Sequence, residues 1–338
     1  MAKYTVYHSD AHRHFGDYSI EKEQLARIDA ELELIDAGKS AEELATLMTD
    51  AEAVIVGSAP ITAAVLDSMP KCKVVVRYGV GLDTLDLDAA TERNVVCAHV
   101  PDFCMEEVAN HALMLMLAVV KKLVPLDRAV RDGTWRPGPL SPMMHLHGQT
   151  LGLVACGNIA QAMAKRGLAL SMQVIGYDPY VDRDVAAAAG IELVDSLDEL
   201  LSRADVVSVH APLTPQTHHL IDNGALSRMK RSAYLINTSR GPTVDEAALV
   251  EALQEHKIAG AGLDVFEQEP LPATSPLNAL DNVVLMPHSA SYSDDAFQRL
   301  SRRVGESVVD VLSGHWPRFV ANKGILEKLK LKPTLHPD

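Results

Sequence analysis

The feature that most constrains this chain is a repeated alternation: short runs of β-branched and aliphatic residues separated by stretches with helical spacing. Such runs stand at residues 5–7, 53–56, 74–77 and 95–98, and again at 151–154, 174–177, 206–209, 234–236, 259–263 and 283–286. A near-continuous apolar run is what a strand buried on both faces requires, and strands alternating with helices pair in parallel because each crossover helix covers a face. The predicted class is α/β, with two doubly wound parallel-sheet domains of the Rossmann or flavodoxin-like kind. A Pro- and Gly-rich stretch at 133–148, GTWRPGPLSPMMHLHG, interrupts the series, as turn-forming residues do. Six predicted strands follow it, the number a complete nucleotide fold needs. Before it, Asp102 is the expected N-cap of a long helix with Glu106 and Glu107 in its first turn and an apolar body, LMLMLAVVKKL, ending before Pro125. A faint internal echo, ADVVSVHAPLT…AYLINTSRG against AEAVIVGSAPIT…KVVVRYGVG, suggests two related modules.

Composition excludes several function classes. With 31 basic and 45 acidic side chains the net charge is −14, and no basic stripe in the body of the chain offsets the repulsion of a phosphate backbone. Nucleic acid is not an expected partner. Four cysteines, Cys72, Cys97, Cys104 and Cys156, lack zinc-type spacing, which suits buried thiols in a reducing compartment. The amino-terminal stretch has no signal-peptide core, and the longest apolar run, 112–120, is far short of the ~20 residues a membrane span needs. A cytoplasmic protein without a membrane partner is expected. His145/His147 and His218/His219 carry no acid or cysteine at ligand spacing and read as surface or arm residues, and the His8/His12/His14 cluster reads as chance clustering among 14 histidines, so no metal site is assigned.

The strand at 151–154 runs into Ala155-Cys156-Gly157-Asn158-Ile159-Ala160 and then a helical pattern. In the dinucleotide fingerprint GxGxxG/A the first position makes the tight turn, the second lets backbone approach a pyrophosphate, and the third allows close helix packing. Here those positions are Ala155, Gly157 and Ala160, so only the phosphate-facing glycine is intact. Asp178 ends the next run, 18 residues past Ala160, close to the ~20 at which an acid accepts ribose hydroxyls. A carboxylate there repels a 2′-phosphate, which favours NAD(H). Three further groups sit where a parallel sheet presents its chemistry, at the carboxyl ends of strands. Arg240 offers a planar fork for a carboxylate. The run Asp264 to Glu269 presents several acids, ordinarily the mark of a solvated loop. His288 follows the last run, and with Glu269 as partner it becomes an acid/base candidate rather than a lone structural histidine.

These residues carry a resemblance. The segments VVVRYGVGLDTLDLDAA, VPDFCMEEVANHALMLML, TLGLVACGNIA, VIGYDPY, VSVHAPLTPQTHHLID, AYLINTSRGPTVDEAALVEAL, GAGLDVFEQEPL and NVVLMPHSASYS stand in the order found in the D-isomer-specific 2-hydroxyacid dehydrogenases. That family includes phosphoglycerate dehydrogenases, glyoxylate reductases and C-terminal-binding-protein corepressors. The resemblance implies that Arg240 binds a substrate carboxylate and carbonyl, that Glu269 pairs with His288, and that His288 is the acid/base. It implies cofactor contacts at Gly157, Asn158, Ile159, Asp178, Pro179, His210, Ala211, Pro212, Thr217, Thr238, Ser239, Asp264, His288 and Ala290. Substrate contacts are implied at Arg77, at the Val80 and Gly81 amides, and at Arg240.

The implied reaction is NAD-dependent hydride transfer between nicotinamide C4 and C2 of a small anionic 2-oxo or 2-hydroxy acid. An NAD(H)-sensing, corepressor-like binding protein is the competing reading. The implied layout is an outer substrate domain, residues 1–101 plus 292–338, and an NAD-binding domain, 102–291, with dimerisation helix and arm 102–148. A cleft between them and a homodimer follow from the same resemblance. Two departures stand out: Ala155 replaces the first fingerprint glycine, and Ser291 replaces a tryptophan of the corepressor branch.

Overall fold

The computed structural model describes residues 2–11, 18–135 and 140–337. His12 and His14, and part of the 133–148 stretch, lie outside the described residues. The chain divides into two compact units, Met1–Cys104 with Ser293–Asp338, and Met105–Tyr292.

The first unit holds a five-stranded parallel sheet: β1 (Tyr4–Ala11), β2 (Ala30–Asp36), β3 (Ala53–Val56), β4 (Val74–Arg77) and β5 (Val96–Ala98), in the order β2-β1-β3-β4-β5. That order is the flavodoxin-like one. The strand β2 was not among the expected ones: its sequence, AELELID, lacks the continuous apolar run by which the others were picked, although its polar/apolar alternation fits a half-buried strand. It runs along the sheet edge, pairing only with β1 in the order given. There its charged residues meet water, which is how an edge is protected from pairing with another chain.

The second unit holds a seven-stranded parallel sheet: β6 (Thr150–Val154), β7 (Gln173–Tyr177), β8 (Glu192–Leu193), β9 (Val206–Val209), β10 (Tyr234–Asn237), β11 (Gly260–Leu263) and β12 (Val283–Leu285). The order β12-β11-β10-β9-β6-β7-β8 reverses direction at the β6/β9 boundary, where open α/β sheets take their ligands. One strand more than the expected six is present, the two-residue β8, too short to leave an apolar run in the sequence. The α/β class with two doubly wound parallel sheets is what the strand pattern predicted. The two echoing segments are β3 to β4 and β9 to β10, neighbouring strands in each sheet.

Two helix details differ from expectation. The long apolar helix spans Met105–Val120, so Asp102 lies too far upstream to cap it; its carboxylate instead faces the Arg318 guanidinium at 3.5 Å. The helix does end before Pro125, as expected, but at Val120 and so short of the expected body, which ran to Leu123. Lys122 adopts a left-handed φ of 55° and starts a second helix, Leu123–Arg131, with the proline in its first turn, where a missing N–H costs nothing. All four cysteines are buried.

Candidate active site

The second unit assembles its chemistry at the carboxyl ends of β6, β7, β9, β10, β11 and β12. After β6 the chain turns through Ala155, whose φ is 68°, a left-handed conformation that glycine enters freely and alanine does not. The turn is tied to the end of β7: Ala155 N donates to Tyr177 O at 2.9 Å, and Cys156 N to Asp178 Oδ2 at 2.8 Å. The other Asp178 oxygen takes the Tyr180 and Val181 amides at 2.8 and 3.1 Å. The Asp178 carboxylate is therefore held rigidly against the fingerprint loop, with Pro179 between its partners. Gly157 begins the helix Asn158–Ala169 in an extended conformation, and a Cβ there would meet nothing within 4 Å. Its backbone, with Asn158 and Ile159 following, is open to close approach by an anion at a positive helix end.

The loop after β9 keeps its own polar groups busy. His210 bonds Ser208 Oγ through Nε2 at 2.9 Å, and loss of hydration pushes its pKa down to about 4, so the ring is neutral. Ala211 is buried, and Thr217 Oγ1 donates to Pro212 O at 2.5 Å.

After β10, Asn237 is almost wholly buried, and its carboxamide organises the following loop. Oδ1 accepts the Ser239 amide and hydroxyl at 3.0 and 2.9 Å, and Nδ2 donates to Arg240 O at 3.0 Å. The Ser239 hydroxyl is thus turned inward. Thr238 Oγ1, in contrast, is buried without a protein partner among the described residues. Arg240 Nη1 donates to Ser239 O at 2.8 Å. Gly241 is indispensable for a steric reason: a Cβ there would stand 1.9 Å from the Phe266 carbonyl carbon and oxygen. This close approach lays the Arg240 loop against the segment that carries Glu269.

Glu269 and His288, distant in sequence, meet. His288 Nδ1 lies 2.7 Å from Glu269 Oε2, while Phe266 N donates to Glu269 Oε1 at 3.0 Å. Burial opposes ionisation of this carboxyl, but the His288 hydrogen bond and charge, the Phe266 amide and the Arg240 charge outweigh it and hold the group below its ordinary range. An ionised carboxylate only accepts, so Nδ1 carries the hydrogen and Nε2 is left for another partner. His288 is 47% exposed and adopts a left-handed φ of 50°. The strain is held by Asp264: its carbonyl takes the His288 amide at 2.8 Å, and its fully buried carboxylate takes the Ser289 and Ala290 amides, each at 2.9 Å. His111, from the long helix, stands 3.1 Å from the same carboxylate. Strained backbone that its surroundings over-determine is a recurrent mark of functional sites.

In the first unit, Arg77 ends β4 and folds back, Nη1 donating to Tyr78 O at 2.8 Å. Among the described residues the Val80 and Gly81 amides donate to no carbonyl or side chain.

A family model described as D-isomer specific 2-hydroxyacid dehydrogenase, NAD binding domain, matches residues 113–290. The chain belongs to the D-isomer-specific 2-hydroxyacid dehydrogenases. It is 40% identical over 304 residues to a glyoxylate reductase of Korarchaeum cryptofilum, covering 89% of this chain and 87% of that one. It is 39% identical over 305 residues to a D-3-phosphoglycerate dehydrogenase of Methanocaldococcus jannaschii, covering 89% of this chain but 58% of that enzyme. Among solved structures, a D-lactate dehydrogenase of Aquifex aeolicus complexed with NAD and lactic acid is similar with a TM-score of 0.81 and 31% identity, over 99% of this chain and 100% of that one. The matching family model is that of an NAD binding domain, and similar solved structures carry NAD or NADP. Two features of the second unit fit such a dinucleotide: the open backbone at Gly157 and the partnerless buried hydroxyl of Thr238.

Sequence reasoning missed Asn237, Thr243 and His111, and it left His219 as a surface residue. The structure brings Glu267 to His219 Nε2 at 2.7 Å and Asp245 to Nδ1 at 3.9 Å. One ligand atom from each of His219, Asp245 and Glu267 lies within 4.8 Å of the others, a half-exposed His/carboxylate cluster that the spacing of the sequence did not reveal. Only Asn237 had left a signal, as a polar residue ending an apolar strand. No described helix is long and apolar enough to cross a membrane.

Proposed function

We propose that this dehydrogenase reduces a small 2-oxo acid to its D-2-hydroxy acid, and catalyses the reverse, with Arg240 as carboxylate clamp and His288 as proton donor. The observation that carries the reading is the 2.7 Å contact of His288 Nδ1 with Glu269 Oε2, beside a carboxyl that also feels the Arg240 charge. Bound NADH supplies the hydride that reduces the substrate carbonyl. Gly157, Asn158 and Ile159 are proposed to hold its pyrophosphate, and Asp178 with Pro179 its adenosine ribose. The segment His210, Ala211, Pro212 and Thr217 is assigned to the adenine side, and Thr238, Ser239, Asp264 and Ala290 to the nicotinamide side. Arg240 holds the acid group of the substrate through its planar fork. His288 Nε2 gives a proton to the carbonyl oxygen as negative charge develops there, a contribution of roughly 10²–10⁴-fold. Glu269 fixes the ring orientation and stabilises the imidazolium. The Val80 and Gly81 amides, with Arg77, are proposed as further carboxylate-binding groups.

The curated relatives are reductases and dehydrogenases, which favours turnover over pure NAD(H) sensing. We also propose a homodimer: the helix Leu123–Arg131 has no buried residue and exposes Leu123, Val124 and Val130. The test of function is NADH oxidation with glyoxylate, hydroxypyruvate, pyruvate and branched and aromatic 2-oxo acids. Turnover that falls by at least 10²-fold in His288→Ala supports the reading, while an unchanged rate in that variant refutes the proton donor. Absence of turnover with every acid would return the assignment to a sensor.

A further inference from the structure

We propose that Asn237 and Thr243 are positioning residues that set the direction of the Arg240 guanidinium. The inference rests on the reading of Arg240 as the carboxylate clamp. Its support is the pattern of hydrogen bonds around three successive peptide groups. The peptide before Ser239 is pinned through its N–H, which Asn237 Oδ1 accepts at 3.0 Å. The peptide after Arg240 is pinned through its carbonyl, on which three donors converge: Thr243 Oγ1 at 2.6 Å, Asn237 Nδ2 at 3.0 Å and Thr243 N at 3.2 Å. Between them stands the Ser239–Arg240 peptide, whose carbonyl receives Arg240 Nη1 at 2.8 Å. The group that holds the guanidinium is therefore fixed on both sides by the same carboxamide.

Burial makes these bonds decisive. Asn237 is 1% exposed and Thr243 fully buried, so a lost partner is not replaced by water and an unmet group bears its whole desolvation cost. The network also reaches the His288 side of the site. Asn237 O accepts the Asp264 amide at 3.0 Å, and Asp264 O accepts the His288 amide at 2.8 Å. One buried residue thus registers the loop carrying the clamp against the segment carrying the proton donor. A misplacement near 1 Å at a clamp is enough to cost about 10²-fold, whereas the Gly157 backbone proposed for the pyrophosphate lies on another strand, and Ser239, proposed on the nicotinamide side, keeps its two bonds to the side-chain oxygen at position 237 in both variants tested below.

The test compares Asn237→Asp, which keeps the acceptor and removes the Nδ2 donor, with Thr243→Val and Thr243→Ser, using Arg240→Gln as reference. The probes are whichever of glyoxylate, hydroxypyruvate or pyruvate the wild type reduces fastest, and NADH binding followed by fluorescence. Thr243→Val and Asn237→Asp are expected to raise KM for the 2-oxo acid about five- to tenfold, the loss of roughly one hydrogen bond. In both, kcat stays within threefold and the Kd for NADH within twofold, and Thr243→Ser, which retains the hydroxyl, restores KM. If Arg240→Gln raises KM while Asn237→Asp and Thr243→Val leave it unchanged, the positioning role is overturned and the clamp stands. If Arg240→Gln itself leaves KM unchanged, the clamp is wrong and the inference falls with it. Equal loss of NADH affinity and thermal stability in Thr243→Val and Thr243→Ser would assign the pair to folding alone.

Discussion

Replacing Ala155 by glycine should make the protein more stable, against the usual direction of such a change. Ala155 holds a φ of 68°, where its Cβ crowds the following carbonyl at a cost of roughly 1–2 kcal/mol. Glycine removes that cost but adds freedom to the unfolded chain worth about 0.4–1 kcal/mol. The difference is a gain of about 0.5–1 kcal/mol. The bonds that shape the turn, Ala155 N to Tyr177 O and Cys156 N to Asp178 Oδ2, use backbone donors and survive the substitution. For a unit of this size ~1 kcal/mol moves Tm by roughly 2–4 °C, measurable by calorimetry and by urea unfolding. Ala187, exposed inside the helix Arg183–Ala188, is the matched control, because glycine there should cost about 1 kcal/mol. An Ala155→Gly protein no more stable than wild type, beside an Ala187→Gly protein that loses stability as expected, would refute strain at the fingerprint turn.

Gly241→Ala should abolish turnover, because its Cβ cannot stand 1.9 Å from the Phe266 carbonyl without moving Glu269; wild-type rates would disprove the close approach. Glu269→Gln should lower kcat/KM by about 10²-fold or more. In the wild type the limb due to this carboxyl should fall below its usual ~4.3, since the group is held ionised, and a limb above that value contradicts the pairing. His210 has a pKa of about 4 in the fold against ~6.5 unfolded. The unfolded chain takes up the proton first, so stability contributed by the neutral ring is complete above ~6.5 and is lost as pH falls toward 4, at up to about 1.4 kcal/mol per pH unit. Urea midpoints at pH 7 and 5 should therefore differ more for wild type than for His210→Gln; identical differences would remove His210 as the cause. Asp178→Ala should narrow a preference for NADH over NADPH in kcat/KM, and an unaltered ratio would free that carboxylate of its assigned role.

Much of the candidate site was legible for a geometric reason. Parallel strands buried on both faces leave apolar runs that can be read directly, and such sheets present their chemistry at one end of every strand. Arg240, Asp264 and His288 could therefore be picked from the residues that follow three runs, and Gly157 and Asp178 from two more. The edge strand β2 and the short β8 escaped because neither has the burial that writes an apolar run. Asp102 misled because a capping residue type is only an invitation, and Arg318 supplied it with another partner.

From the chain alone came the alternation that dictates two parallel sheets, the strand ends that carry the candidate site, and the alanine at the fingerprint turn, whose φ is 68°. The pairing of Glu269 with His288 could be named from the sequence, but only folding decided that Asp264 holds a left-handed histidine and that Asn237 and Thr243 grip the Arg240 loop. Local order follows from spacing, since period and burial are properties of neighbours in sequence. Partners drawn from different strands are chosen by packing, and no one-dimensional pattern records which buried donor will find which acceptor.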